Sequence, residues 1–378
     1  MKLHHFTSKV RSVIRVEKNK VKMSAEKRIL FETVFMDNAR AKIKEFAMFP
    51  KVRLRRLRRT ESIRRMLDAP MPRPERFIWP TFVLAGTGRR EAIESMPGQF
   101  RLSVDELLKD LETIVEDGIG GVLLFGLADA EQKDACGTQA AEPNGAVQQA
   151  IAAIKKQFPK LVVVADVCVC AYTSHGHCGP LTKDGQVDND AALKILAKVA
   201  CSMANAGADM VAPSAMMDGQ VQAIRSALDD AGHSETLIMS YSTKFASSMY
   251  GPFREAEQSA PSEGNRKGYQ ASFRNLRAAL RESQLDEKEG ADLLMVKPAL
   301  FYLDVLTRLR EQTDLPLAAY NVSGEYAMLH ATARQGWGDL REMVRESIAA
   351  MDRAGADLII SYWANQYTEF FTDHSQKG

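Results

Sequence analysis

The 378-residue chain lacks long apolar runs: its uninterrupted apolar stretches are short, such as Leu161–Ala165. A membrane-spanning helix needs about 20 such residues in a row, so no membrane partner is expected. Cysteine is scarce, with five residues, an odd total that argues against a disulfide framework. The basic opening has no apolar core of the kind a secretory signal requires. Glu17, Glu26 and Glu32 speak against a transit peptide. The cytoplasm is therefore the expected compartment. Acidic residues are thin at the front: residues 1–65 hold 20 Lys+Arg against 6 Asp+Glu, a net +14. The remainder holds 30 against 42, a net −12. A basic arm on an acidic body suggests docking on a neighbouring copy, with nucleic acid as the other candidate partner.

What is present is an ordinary globular composition, 45% hydrophobic and 26% charged, enough for one large domain or two smaller ones. Residues 1–75 read as a basic N-terminal extension and arm. Arg53–Met66 carries only scattered apolar residues, and Ala69–Pro74 is extended because its prolines fix φ and restrict their predecessors. Residues 76–378 read as the folded body. Eight short apolar runs follow: Ile78–Val83, Gly121–Leu127, Leu161–Val167, Met210–Ser214, Leu237–Ser242, Leu293–Pro298, Leu317–Val322 and Leu358–Trp363. Runs apolar almost throughout mark strands buried on both faces, as in parallel sheets. Amphipathic stretches separate them: Val104–Asp117 after Ser103 as N-cap, Asp188–Ala206, Gly219–Ala231, Ser272–Glu289 and Asp339–Ala354. An echo recurs as Ala206-Gly-Ala-Asp209, Glu289-Gly-Ala-Asp292 and Ala354-Gly-Ala-Asp357, each ending a helix before a strand. Its glycine suits the left-handed C-cap position. Eight such units predict an α/β fold of the (β/α)₈ barrel type rather than an open sheet.

Barrel chemistry sits at the C-terminal ends of the strands. There the sequence places Asp166, Ser214, Lys244, Lys297, Ser323 and Tyr362. A lysine can attack a carbonyl only when neutral, and burial or a second cation nearby lowers its pKa. Lys244 and Lys297 end adjacent strands, so each is expected to depress the other. Cys168-x-Cys170-x₇-Cys178 offers three thiolates in a polar loop, a set that suits Zn²⁺ with an open fourth position. His175 and His177 lie in the same loop as further ligands or proton shuttles. The alternative, buried thiols in a core, suits Cys201 and Cys136 better. Residues 250–270 read as a lid. Its Arg254 and Arg266 either grip a carboxylate or sit in solvent.

Five motifs, DVCVCAYTSHGHCG, VAPSAMMDGQV, MSYSTKFASSMYGPFR, LMVKPALFYLD and YNVSGEYAML, together resemble porphobilinogen synthases, also called 5-aminolevulinate dehydratases, over about Val52 to Tyr362. The resemblance implies a lyase of tetrapyrrole biosynthesis that condenses two 5-aminolevulinate molecules with loss of two waters. It gives Lys297 a Schiff base with the A-site substrate and Lys244 one with the P-site substrate. It makes Cys168, Cys170 and Cys178 the zinc ligands. Ser323 and Tyr362 become P-site carboxylate ligands, and Arg254, Arg266 and Gln270 those of the A site. Asp166 and Ser214 become polar site residues. It also implies a homo-octamer joined through the N-terminal arm. Ala278 stands where many members carry a glutamate for a regulatory magnesium, which argues against that site. Residues 1–50 extend past the usual start; either Met23 or Met48 is the true start, or the extension is real and disordered. The stretch after Tyr362 matches the family poorly.

Two other readings are distinguishable. A single-lysine aldolase on the same barrel would survive loss of Lys244 or of zinc. A zinc protein that binds nucleic acid would need a basic surface beyond the arm, and the body is net acidic; no nucleic-acid partner is expected.

Overall fold

The computed structural model describes residues 52–262 and 264–372. Residues 1–50, including the alternative starts, lie outside them. Contacts divide the chain between Pro70 and Met71. The described part of the first unit is a 3-10 turn, Leu54–Arg58, and helix α1 (Glu61–Leu67), capped by Thr60 Oγ1, which accepts from Ile63 N at 3.3 Å. Neither element buries a residue, and Leu54, Leu57, Met66 and Leu67 stand exposed.

The second unit is a closed barrel of eight parallel strands. These are β1 (Phe77–Leu84), β4 (Gly121–Gly126), β5 (Val162–Val167), β6 (Met210–Pro213), β7 (Leu237–Lys244), β8 (Leu293–Lys297), β9 (Leu317–Asn321) and β10 (Leu358–Ser361). They pair in sequence order, and β10 closes on β1 with Phe77 opposite Ile359. These are the eight runs expected, and their near-complete burial explains why they are apolar on both faces. Helices α2 (Val104–Glu116), α3 (Ala146–Gln157), α4 (Asn189–Asn205), α5 (Gln220–Asp230), α6 (Gly251–Glu257), α7 (Leu276–Glu289), α8 (Leu303–Arg310), α9 (Ser323–Arg334) and α10 (Leu340–Arg353) lie between them. Among the described residues no helix is long and apolar enough to cross a membrane.

The Gly-Ala-Asp echo has a physical role. Gly207, Gly290 and Gly355 adopt φ of 103°, 102° and 109°, the left-handed conformation expected. The aspartate that follows each accepts a backbone N–H from the neighbouring strand. Asp209 takes Val163 N at 2.8 Å, Asp292 takes Ile238 N at 2.7 Å and Asp357 takes Leu317 N at 2.8 Å. Each repeat thereby clasps two staves at the end of the barrel away from the candidate chemistry.

Three features depart from the sequence reading. A hairpin, β2 (Arg90–Ala92) and β3 (Phe100–Ser103), adds to β1, with Phe82 opposite Arg101. Strands of three and four residues are too short to show a period. Ser103 occupies the N-cap of α2 without capping it. Its hydroxyl donates to Asp105 Oδ1 at 2.6 Å and accepts Arg89 N at 2.9 Å. Finally, the stretch after Tyr362 forms helix α11 (Tyr367–Phe371). Tyr367 and Phe371 pack on Phe77 with ring centroids 5.2 and 5.3 Å away.

Candidate active site

Lys244 and Lys297 are the last residues of β7 and β8, and they pair directly. An irregularity produces that pairing. Met239 and Ser240 face Leu293 and Leu294, but Thr243 and Lys244 face Val296 and Lys297, so β7 carries one extra residue. Held to the upstream register without a bulge, the same sequence would set Thr243 opposite Lys297. The extra residue breaks the alternation of faces. Ser242 and Thr243 both turn to the helix layer, where Ser283 Oγ of α7 meets Ser242 Oγ at 3.1 Å and Thr243 Oγ1 at 2.6 Å. Tyr241 and Lys244 both turn to the interior, where Lys244 Nζ lies 5.4 Å from the Tyr241 ring centroid.

Both lysines are buried, at 6% and 3% exposed. Lys244 Nζ donates to the Ser214 carbonyl at 2.6 Å. Lys297 Nζ sits among aromatic rings, 4.1 Å from the centroid of Tyr320, 4.7 Å from Phe253 and 4.9 Å from Tyr241. Burial, with the charge of Lys244 second, brings the Lys297 ammonium down to about 7. Burial also pushes the Asp166 carboxyl up to about 7, against the pull of Lys244. A lysine near neutrality beside a second amine and a carboxyl that exchanges protons in the same range can form and break imines.

Cys168, Cys170 and Cys178 are all buried, and their sulfurs lie within 4.8 Å of one another, with Cys168 Sγ 3.4 Å from Cys170 Sγ. Tetrahedral thiolate ligands about 2.3 Å from one ion lie about 3.8 Å apart. The trio therefore suits a single metal ion with little movement. Hydrogen bonds from the other two thiols hold the Cys178 thiol well below its usual range, with the charge of Arg266 as a further contribution. The histidines stand outside this cluster. His177 Nδ1 lies 3.1 Å from Tyr269 Oη, and His175 Nε2 3.1 Å from the Ala135 carbonyl. Cys201 is half-buried on α4. Cys136 is exposed, contrary to the core reading, because it sits in the turn organised by Asp134 Oδ1, which accepts its N–H at 2.8 Å.

The lid residues fall on the inner side. Arg266 is buried and its Nη2 donates to the carbonyls of Gly176 and Ser259 at 2.9 and 2.6 Å. Arg254 Nε, Arg266 Nε and both polar atoms of the Gln270 amide are buried without a partner. Burial lowers the Arg254 guanidinium, and the charge of Arg266 lowers it further, so the two cations are close. Buried donors without acceptors are costly, and an anionic ligand satisfies them. Ser323 Oγ accepts Phe253 N at 2.9 Å, which ties the start of α9 to α6. Tyr362 is buried with its hydroxyl 3.4 Å from that of Tyr320.

Several participants escape a reading of strand ends. Glu257, on α6, is buried with Oε2 3.5 Å from Cys170 Sγ, and burial pushes its carboxyl up to about 8. Its spacing from Arg254 by one helical turn was the available signal. Tyr241, inside an apolar run, reaches both lysines. A cavity of about 870 Å³ opens beside the cysteine loop, lined by His177, Asp218, Tyr269, Gln270, Glu282 and Asp286 among others. Ala278 lies in the first turn of α7, its N–H bound by Asn275 Oδ1. The carboxylates of that helix that reach the cavity, Glu282 and Asp286, begin one turn further on.

Comparisons with known proteins identify the family. The family model for delta-aminolevulinic acid dehydratase matches residues 51–370. The chain is 49% identical over 320 residues to the delta-aminolevulinic acid dehydratase of Synechococcus elongatus, covering 84% of this chain and 98% of that protein. It is 51% identical to that of Methanothermobacter thermautotrophicus, covering 84% and 96%, and 49% identical to that of Escherichia coli, covering 84% and 97%. The crystal structure of the Toxoplasma gondii delta-aminolevulinic acid dehydratase (porphobilinogen synthase), in complex with the reaction product porphobilinogen, superposes with a TM-score of 0.83 at 42% identity, covering 86% of this chain and 94% of that one. With paired lysines and a thiol trio on one closed barrel, and a match across nearly all of it, the chain belongs to the delta-aminolevulinic acid dehydratase family.

Proposed function

We propose that this chain condenses two molecules of 5-aminolevulinate to porphobilinogen, with loss of two waters, through two lysine imines. The observation that carries the two-imine reading is the direct pairing of Lys244 with Lys297 at adjacent strand ends. Lys297 attacks the ketone of the A-site molecule and Lys244 that of the P-site molecule. Each imine acidifies the neighbouring carbon and turns a poor leaving oxygen into water. Carbon–carbon and carbon–nitrogen bond formation between the two molecules releases both lysines. Asp166 accepts and returns protons beside them, and the Ser214 carbonyl orients Lys244 Nζ. Arg254, Arg266 and Gln270 take the A-site carboxylate, which supplies the acceptor their buried groups lack. Ser323 and Tyr362 take the P-site carboxylate.

Cys168, Cys170 and Cys178 hold zinc in this reading, since buried thiolates select a soft ion over magnesium. Bound there, zinc polarises a carbonyl or holds a substrate amine or water. The basic N-terminal arm serves assembly of a homo-octamer, on the strength of the charge asymmetry and the family. Deleting residues 1–65 is expected to shrink the particle in analytical ultracentrifugation; an unchanged sedimentation coefficient would sink that role.

The depressed Lys297 ammonium gives a pH test with a definite sign. Only the neutral amine attacks, so the rate of borohydride trapping of 5-aminolevulinate on Lys297 rises with pH through about 7 and then levels. Because the charge of Lys244 contributes to the depression, Lys244→Met moves that midpoint to higher pH. A trapping rate flat between pH 6 and 9, values that bracket about 7, would contradict the assignment.

A further inference from the structure

We propose that Glu325 is a positioning residue for the condensation, tying together the three adjacent strand ends that present Lys297, Ser323 and Tyr362. The inference rests on the roles assigned to those three residues above. Glu325 is fully buried in the first turn of α9. Its Oε1 accepts Leu300 N at 3.0 Å, three residues past Lys297. Its Oε2 accepts Asn321 Nδ2 and Val322 N, each at 3.0 Å, immediately before Ser323. Asn321 Oδ1 then accepts Ser361 Oγ at 3.0 Å, and Ser361 Oγ accepts Trp363 N at 3.3 Å, on either side of Tyr362. One chain of hydrogen bonds therefore runs across the ends of β8, β9 and β10.

A glutamate in the first helical turn commonly reaches back to the N–H at the helix start. That local habit accounts for the bond to Val322 and for neither of the others. The bond to Leu300 joins segments that the chain itself connects only through a whole βα unit, and the bond to Asn321, four residues back, is carried on to β10 by Ser361. Both Glu325 oxygens accept hydrogen bonds from the protein, so it does not offer itself to substrate as an acid or base. What it sets is the spacing between the A-site lysine and the P-site carboxylate ligands. Two identical substrates must meet there within bonding reach, and a displacement of about 1 Å costs on the order of 100-fold in rate.

The test uses full-length protein and four variants: Glu325→Gln, Ser323→Ala, their combination, and Ser361→Ala. In Glu325→Gln one amide hydrogen-bonding face opposes donors it must repel, so kcat/KM is expected to fall about 100-fold. The combined variant is expected to lie within about threefold of the worse single one, because Glu325 acts through the placement of Ser323. A purely structural role would lower the unfolding midpoint and add independently to Ser323→Ala. Glu325→Gln within threefold of the parent, or strict additivity, would overturn the proposal. Ser361→Ala breaks the same chain at its far end and leaves the three bonds to Glu325, so it decides the matter if Glu325→Gln does not fold. It is expected to lose about tenfold, the worth of one buried hydrogen bond, and a parent-like Ser361→Ala overturns the proposal. If Lys297→Met and Ser323→Ala were themselves active, the site assignment would fall and this inference with it. If they are inactive and Glu325→Gln is parent-like, this inference falls alone.

Discussion

Lys297→Met is expected to lose pyrrole formation by ~10⁴-fold or more while folding normally, because it removes the nucleophile itself rather than a group that assists it. The site tolerates the change. Methionine keeps the unbranched stem that threads between Tyr320, Phe253 and Tyr241, and it removes a group whose charged form burial disfavours. The unfolding midpoint is therefore expected to hold or rise. Mass spectrometry after borohydride reduction should show the Lys297 adduct lost. Lys244→Met separates the two-imine reading from a single-lysine aldolase: the first expects turnover to vanish, the second expects it to survive. Turnover within tenfold of the parent in either variant would remove the two-imine reading.

Stripping metal is expected to have the second largest effect. Chelator treatment under reducing conditions should abolish turnover, and zinc should restore it where magnesium does not. Cys168→Ala should weaken zinc retention beyond the ~10–100-fold typical of changes outside the coordination shell. Three thiols packed this closely in the core offer a metal ion three ligands that give up their protons as it binds. Reducing conditions matter, since Cys168 and Cys170 sulfurs 3.4 Å apart would otherwise oxidise together. The measurement is metal content by elemental mass spectrometry beside activity. Full activity with less than a tenth of an equivalent of any metal would refute the assignment.

The barrel was readable because its signal is repeated: eight apolar runs, each followed by polar residues, and a thrice-used helix stop. The lysines and cysteines were readable because such side chains rarely follow a buried strand without reason. Other features are tertiary. Glu257 lies in a segment whose composition reads as a solvated lid, and only folding brings it against Cys170. Tyr241 looks like one more core residue until the interior is assembled around Lys297. Ser103 has the right identity for a cap, but the β2–β3 hairpin, invisible in so few residues, competes for its hydroxyl. Cys136 looked like core because free cysteine is usually buried, whereas Asp134 binds its backbone in an exposed turn.

The extra residue in β7 resets which residues face inward part-way along the strand. Before it, even-numbered Ser240 faces the helices and odd-numbered Tyr241 the interior; after it, even-numbered Lys244 faces inward. The strand thus behaves as two independently phased segments joined at Ser242–Thr243, with Ser283 as the pin that keeps them out of step. Laid flat at its full length, with no bulge at that joint, the strand would keep every apolar contact upstream in register and set Thr243 opposite Lys297. In this barrel, whether one lysine or two end in the interior is a matter of counting, decided at a single joint in one stave.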